Sequence, residues 1–273
     1  MNHENIAVIV EGNVREPDII ADMASVFFKN RVKMIPLPAG SNIYMLWKRL
    51  SEDDYETDII EVVREDNPLS RKVLEGYRRD DFSEVYLFFD YDGHQTNIGN
   101  DDGKDGDTVI REMLQTFNNE TDYGKLYISY PMVEALRDYT AGECAAPSGC
   151  FLPFSQFSRY KHLSGHAAGH PQFKKYTFSE WEEICCIFGM RISCLFGSEQ
   201  TLTFSGYREN VTPESVFEQE RSSKSRNDVF VLSAFPEFLL DYYPENFWRK
   251  MVKRSTNLRN TCGQSRKAGR NIM

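Results

Sequence analysis

Asp90 and Asp92 stand one residue apart in "VYLFFDYDGH" (85–94), at the end of an apolar run and just before Gly93 and His94. Two carboxylates so placed have three chemistries open to them. They can hold a divalent metal, attack a phosphate, or only shape a turn. Two more acids follow apolar runs elsewhere. Glu11 comes after "IAVIV", and Glu134 sits in "YPMVEALRD", after "KLYIS". Four acids gathered at one place raise one another's pKa, and a divalent cation removes that cost. Carboxylate oxygens are hard ligands that suit Mg²⁺ or Mn²⁺, with waters completing the shell. Such an ion activates water and stabilises the leaving oxygen in phosphodiester cleavage. His94 is either a base or phosphate contact in the same loop, or a plain loop residue.

The elements that must position these acids alternate along the chain. Residues 6–12 read as a short buried strand rich in β-branched residues. A helix is expected over 16–30, with Ile19, Ile20, Met23, Val26 and Phe27 at helical spacing and Pro17 in its first turn. "VKMIPLP" (32–38) reads as an edge strand because of its prolines. Ser41 is placed to cap a helix through "NIYMLWKRL", and "DIIEVVRED" reads as another. "VYLFFD" (85–90) gives the strongest buried-strand signal. "GNDDGKDGD" (99–107) is a loop of turn residues whose Asp107 is placed to cap "TVIREMLQTF". "KLYISYP" (125–131) is a further strand, and "MVEALRDY" a helix start. Alternation of this kind implies an α/β domain with a mostly parallel sheet over 1–137. Sites in such sheets form beyond the carboxyl ends of the strands, where these four acids fall. Residues 138–273 read as a mainly helical, irregular accessory region, with helices near 178–188, 213–222 and 234–254.

With the elements in order, the chain resembles the TOPRIM family. The resemblance rests on "VIVEGNVRE", "LFFDYDGH" and "YPMVEALRD", the last similar to a motif of the OLD-type and RloB-type nucleases. It implies a TOPRIM-like Rossmannoid fold and a metal-dependent endonuclease. Glu11, Asp90, Asp92 and Glu134 are then the metal ligands and the catalytic acids, with Mg²⁺ or Mn²⁺ as cofactor. OLD-type proteins place a second acid four positions after the first Glu. Here Arg15 stands there, with Glu16 and Asp18 the nearest acids. The chain has no G-x-x-x-x-G-K-[ST] loop and so no ATPase of its own of that type. A free-standing chain of this kind is similar to effector subunits of two-gene anti-phage systems such as PARIS. That likeness implies a toxin-like defence role, a separate ABC-type ATPase as partner and an RNA or DNA substrate; an α/β effector bound by a partner is often a homodimer. A non-catalytic TOPRIM-like module that docks on a partner is the alternative.

"LFFDYDG" also resembles the haloacid-dehalogenase motif, with Asp90 as nucleophile and Asp92 as general acid. That motif belongs on a first strand, whereas a strand–helix–strand unit precedes it here. Two further patterns lie in the second half. Cys144, Cys150, His162 and His166, with His170 one step on, approximate the spacing of a structural zinc site; core cysteines with surface histidines are the alternative. Tyr130, Tyr139, Phe151, Phe154, Phe157 and Tyr160 suit either a core or the stacking of bases.

Bulk properties bound these readings. The 273 residues are 41% hydrophobic and 27% charged, ordinary for a globular chain. No apolar run is long enough to span a membrane and no signal peptide is read, so the expected location is the cytoplasm. The net charge is −9, unevenly spread. After Glu245 there is no acid, and Arg249, Lys250, Lys253, Arg254, Arg259, Arg266, Lys267 and Arg270 are all basic. Without those eight, 24 basic residues face 41 acidic ones, a charge of −17. A basic tail on an acidic body suits a phosphate backbone or an acidic partner.

Overall fold

A computed structural model describes residues 4–28, 32–52, 54–91, 105–139, 150–166, 175–197 and 203–250. The chain divides into two compact units, Met1–Val133 and Glu134–Met273.

In the first unit the order is β1 (Glu4–Val10), α1 (Arg15–Phe27), β2 (Val32–Pro38), α2 (Ile43–Ser51), α3 (Ile59–Asp66), α4 (Pro68–Val73), β3 (Glu84–Asp90), α5 (Gly106–Thr116), the two-residue β4 (Asn118–Asn119) and β5 (Gly124–Ser129). The strands form one sheet in the order β2-β1-β3-β5-β4. The first four are parallel neighbours and β4 runs antiparallel to β5. This is the mostly parallel α/β arrangement that the alternation of elements calls for. Ile6 to Val10 are wholly buried, as is Val85. Burial of both faces of a parallel sheet explains why its strands read as continuous apolar runs rather than alternating ones.

β2 is the edge strand, and its prolines obey a rule. Ala39 N donates to Val10 O at 2.7 Å. Amides along a strand alternate sides, so those at positions 36 and 38 would face away from β1. Both positions are proline, where the missing N–H costs the ladder nothing.

Two caps differ from the expected ones. Asn42, not Ser41, caps α2, its Oδ1 accepting from Met45 N at 3.1 Å. Asp105, not Asp107, caps α5, accepting from Thr108 N at 2.7 Å. Residues 92–104, including most of the expected 99–107 loop, lie outside the described residues.

In the second unit come β6 (Phe151–Pro153), α6 (Tyr160–His166), α7 (Phe178–Leu195), α8 (Phe204–Asn210), α9 (Pro213–Lys224), β7 (Asp228–Phe230) and α10 (Ala234–Tyr242). β6 and β7 pair antiparallel. The helix expected from "MVEALRDY" is instead a 3-10 turn, Val133–Arg137. The helix expected over 234–254 breaks at Tyr243, which is extended at φ −88°, ψ 148°. Tyr243 precedes Pro244, and a residue before proline is pushed out of the α region. Residues 245–250 are helical again.

α7 is buried nearly all round and packs against α9 and α10. Its Thr177–Glu180 capping box closes both orphan donors at the start. Arg191 is 1% exposed. Its guanidinium donates to Val231 O at 2.7 Å and to Asp138 O, and lies 4.6 Å from the centre of the Tyr139 ring. Carbonyls and a ring face thus take the place of water around a buried cation. Tyr130, Tyr139, Phe157 and Tyr160 are buried, which makes them core side chains. No helix among the described residues is long and apolar enough to cross a membrane.

Candidate acidic site at the carboxyl end of the sheet

β1 is flanked by β2 on one side and β3 on the other. The connections therefore leave in opposite directions at the carboxyl ends of β1 and β3, which is where ligand crevices form in open parallel sheets. Glu11 is the first residue after β1, and Asp90 is the last residue of β3. The register sets Val10 opposite Phe88, so the two acids leave neighbouring strands at nearly one height. Glu11 Oε2 accepts from Asp90 N at 3.4 Å, and both side chains are half-exposed. The strand order thus brings together two acids 79 positions apart in the chain.

The backbone around Asp90 is held from its carboxyl side. Asp90 pairs with Ser129 across β3 and β5, and Tyr91 N donates to Ser129 O at 2.9 Å. Tyr91 is buried, its ring 5.3 Å from that of Tyr130, and its hydroxyl donates to Asp107 Oδ1 at 2.8 Å. Asp107 therefore ties the start of α5 to the residue after Asp90 instead of capping the helix. The sequence offered one signal for Tyr91, an aromatic residue between two acids, and none for its partner.

The other side of the site is the turn from β1 into α1. Glu16 is buried and Asp18 is exposed. A Cβ added at Gly12 would come within 2.5 Å of Glu16 Oε2. Glu16 thus folds back over the residue next to Glu11, and only glycine there permits so close an approach. Of Glu16 and Asp18, Glu16 is the one the fold brings to the end of β1. Arg15 is exposed. Val14, just before α1, gives the helix no side-chain cap, and Glu16 and Asp18 in its first turn complement the helix dipole.

A polar knot anchors this turn. Asn67 Nδ2 donates to Asn13 Oδ1 at 3.1 Å, while Asn67 Oδ1 accepts from Leu69 N at 2.8 Å. Gly40, with φ +72°, leaves room for the amide: a Cβ there would lie 2.6 Å from Asn67 Nδ2. Gly40 N also donates to Glu11 O at 3.2 Å. Three connections, β1–α1, β2–α2 and α3–α4, are thereby tied beside Glu11. Neither Asn67 nor Gly40 carried a signal in the sequence, because their partners are distant in the chain.

Glu134 lies in the second unit, 2% exposed, in the 3-10 turn that opens it. Asp92 and His94 lie outside the described residues, as do Cys144, His170 and the basic positions from Lys253 onward. Cys150 is buried and His162 exposed. Among the described residues no three His, Cys, Asp or Glu side chains are grouped to hold a metal ion. What the described residues do offer is the Glu11 carboxylate set against the Asp90 backbone amide, with Glu16 folded over the neighbouring Gly12. Carboxylate oxygens are hard donors of the kind that suit Mg²⁺ or Mn²⁺.

No family model, curated protein or solved structure matches the chain.

Proposed function

We propose that the chain is a Mg²⁺- or Mn²⁺-dependent nuclease of the TOPRIM type. One observation carries most of the support: Glu11 and Asp90, which the TOPRIM motifs mark as ligands, meet at the switch point of a parallel sheet. A divalent ion bound there would supply a Lewis acid and a water of lowered pKa for phosphodiester hydrolysis. Glu11 and Asp90 would hold it. Tyr91, pinned to Ser129 and Asp107, fixes the Asp90 backbone, and Asn67 and Gly40 fix the turn that carries Glu11. Rigid supports of this kind keep ligands in place without reorganisation. The family resemblance adds Asp92 and Glu134 to the ligand set. It also supports a toxin-like effector role in anti-phage defence, controlled by a separate ABC-type ATPase.

The test is cleavage of RNA and DNA by the purified chain with Mg²⁺ or Mn²⁺, alone and with its partner ATPase. Glu11→Ala and Asp90→Ala should each lower the rate by about 100-fold or more, since each removes part of a charge clamp worth several kcal/mol. Glu134→Gln tests the added ligand in the same assay. Absence of cleavage under every condition sinks the nuclease reading. Hydrolysis of small phosphate esters in its place would favour an Asp90 nucleophile.

The alternative is a non-catalytic TOPRIM-like module that docks on a partner. On that reading Glu11→Ala would leave partner binding intact and no activity would exist to lose.

A further inference from the structure

Exposed apolar side chains stand on the three connections that are tied together beside Glu11. Val14 is 67% exposed, Met45 59% and Leu69 49%. Single residues of this kind are ordinary on a protein surface; a gathering of them is not. Hydrogen bonds make the gathering. Asn67 Nδ2 donates to Asn13, the residue before Val14, while Asn67 Oδ1 holds the amide of Leu69. Gly40 leaves room for the Asn67 amide, and two residues on, Asn42 Oδ1 holds the amide of Met45. The three side chains therefore leave neighbouring turns with fixed backbones. They do so at the end of the sheet where Gly40 N reaches Glu11 O at 3.2 Å.

Cations accompany these residues on the two helices. On α2, Lys48 and Arg49 stand three and four positions after Met45. On α4, Lys72 stands three positions after Leu69, and Val73, also exposed, stands four after it. Side chains at those spacings share a helix face. Neither helix contains an acid, on a chain of net charge −9. Arg49 is paired with Glu65 at 3.1 Å. Arg71 donates to the carbonyls of Arg64 and Glu65, which leaves its charge unneutralised. Lys48 and Lys72 are exposed, and no acid among the described residues pairs with either.

Apolar side chains interleaved with unneutralised cations narrow the choice of ligand. A phosphate backbone answers the cations. It offers nothing to Met45 and Leu69, which gain only where bases are open to contact, as in an unpaired strand. An apolar protein partner would answer the side chains and leave Lys48, Arg71 and Lys72 facing no anion. A strand of nucleic acid lies along a surface, so the turns can receive it without a groove.

We propose that Val14, Met45 and Leu69, with Lys48, Arg71 and Lys72 behind them, form the surface along which an unpaired stretch of nucleic acid lies as it reaches Glu11 and Asp90. The substrate class rests on the nuclease reading above. What the surface adds is the side from which the strand comes, over the carboxyl ends of β1 and β2.

The experiment is fluorescence anisotropy of labelled single-stranded RNA and DNA of one mixed sequence, titrated with the full chain in EDTA, so that binding is read apart from cleavage. Saturable binding of at least one strand is expected. Met45→Ser combined with Leu69→Ser should weaken it about tenfold, the scale of two partly covered apolar side chains. Lys48→Gln combined with Lys72→Gln should lower the log–log salt slope by about 1.4, at about 0.7 for each phosphate contact on a single strand. Lys161→Gln, at an exposed lysine of α6, should change neither. All these side chains are exposed, so the variants keep the fold. Affinity and slope unchanged in both double variants overturn the proposal. So does the absence of binding to either strand, or a loss of self-association in Met45→Ser/Leu69→Ser with strand affinity intact. The nuclease reading fails separately: a chain that binds in this way and never cleaves with Mg²⁺ or Mn²⁺ keeps this surface and loses that activity.

Discussion

Gly40 shows how a residue without a side chain can govern a site. Its left-handed backbone admits the Asn67 amide, and Asn67 in turn holds Asn13. Gly40→Ala should destabilise the chain by about 1–2 kcal/mol through the backbone alone, with the crowding at Asn67 adding to it. Chemical denaturation would measure the drop in stability. Gly12→Ala should act differently. The new methyl would displace Glu16 beside the proposed metal ligands, so activity should fall more than stability does. A variant as active as the parent would show that the position of Glu16 is immaterial.

Glu220 gives a prediction in pH at this same scale. It is 3% exposed; its Oε2 accepts from Phe230 N at 3.1 Å and its Oε1 has no hydrogen-bond partner among the described residues. Burial pushes this carboxyl well above the usual range. The folded chain thus keeps its proton to a higher pH than the unfolded chain does. The contribution is whole below the ordinary carboxyl pKa and shrinks as pH rises above it, until the folded-state pKa is passed. Glu220→Gln should therefore raise Tm near neutral pH, and the gain should vanish near about pH 4. Thermal melts across that span check it; a gain equal at every pH would mean that charge is not the cause.

Among the elements, starts and stops depend on which of several fit residues wins. "KDGD" offers two acids to α5, and local spacing favoured Asp107. Asp105 caps because Asp107 is engaged by Tyr91, a residue 16 positions back. Asp105→Ala should cost about 1 kcal/mol through removal of the cap. Asp107→Asn should spare the helix and loosen Tyr91, reading out as lower activity at the acidic site. The strands were legible because burial on both faces writes itself as apolar runs, and their alternation with helices was enough to expect a parallel sheet. α8, β6 and β7 were not legible. They span seven, three and three residues, too short for a period to declare itself. Glu11 and Asp90 could be named from their places after strands, but their meeting depends on β3 lying beside β1, which only strand order decides.

Across the whole molecule, charge is the property that sequence states best. Residues 251–273 hold six cations and no acid on a chain of net charge −9. If nucleic acid is the substrate, removing that segment should weaken binding and flatten its salt dependence by about 0.9 in log–log slope for each phosphate that is no longer neutralised. Filter binding at several salt concentrations would show it, and an unchanged slope would assign those cations another role.

The prolines of β2 bear on the molecule at high concentration. A sheet margin with its outward amides intact is a template on which a second chain can add a strand, then a third, towards fibrils. Positions 36 and 38 present no donor along that margin. The chain can crowd against copies of itself without its sheet growing across molecules, and Pro36→Val is the change that would reopen that route to aggregation.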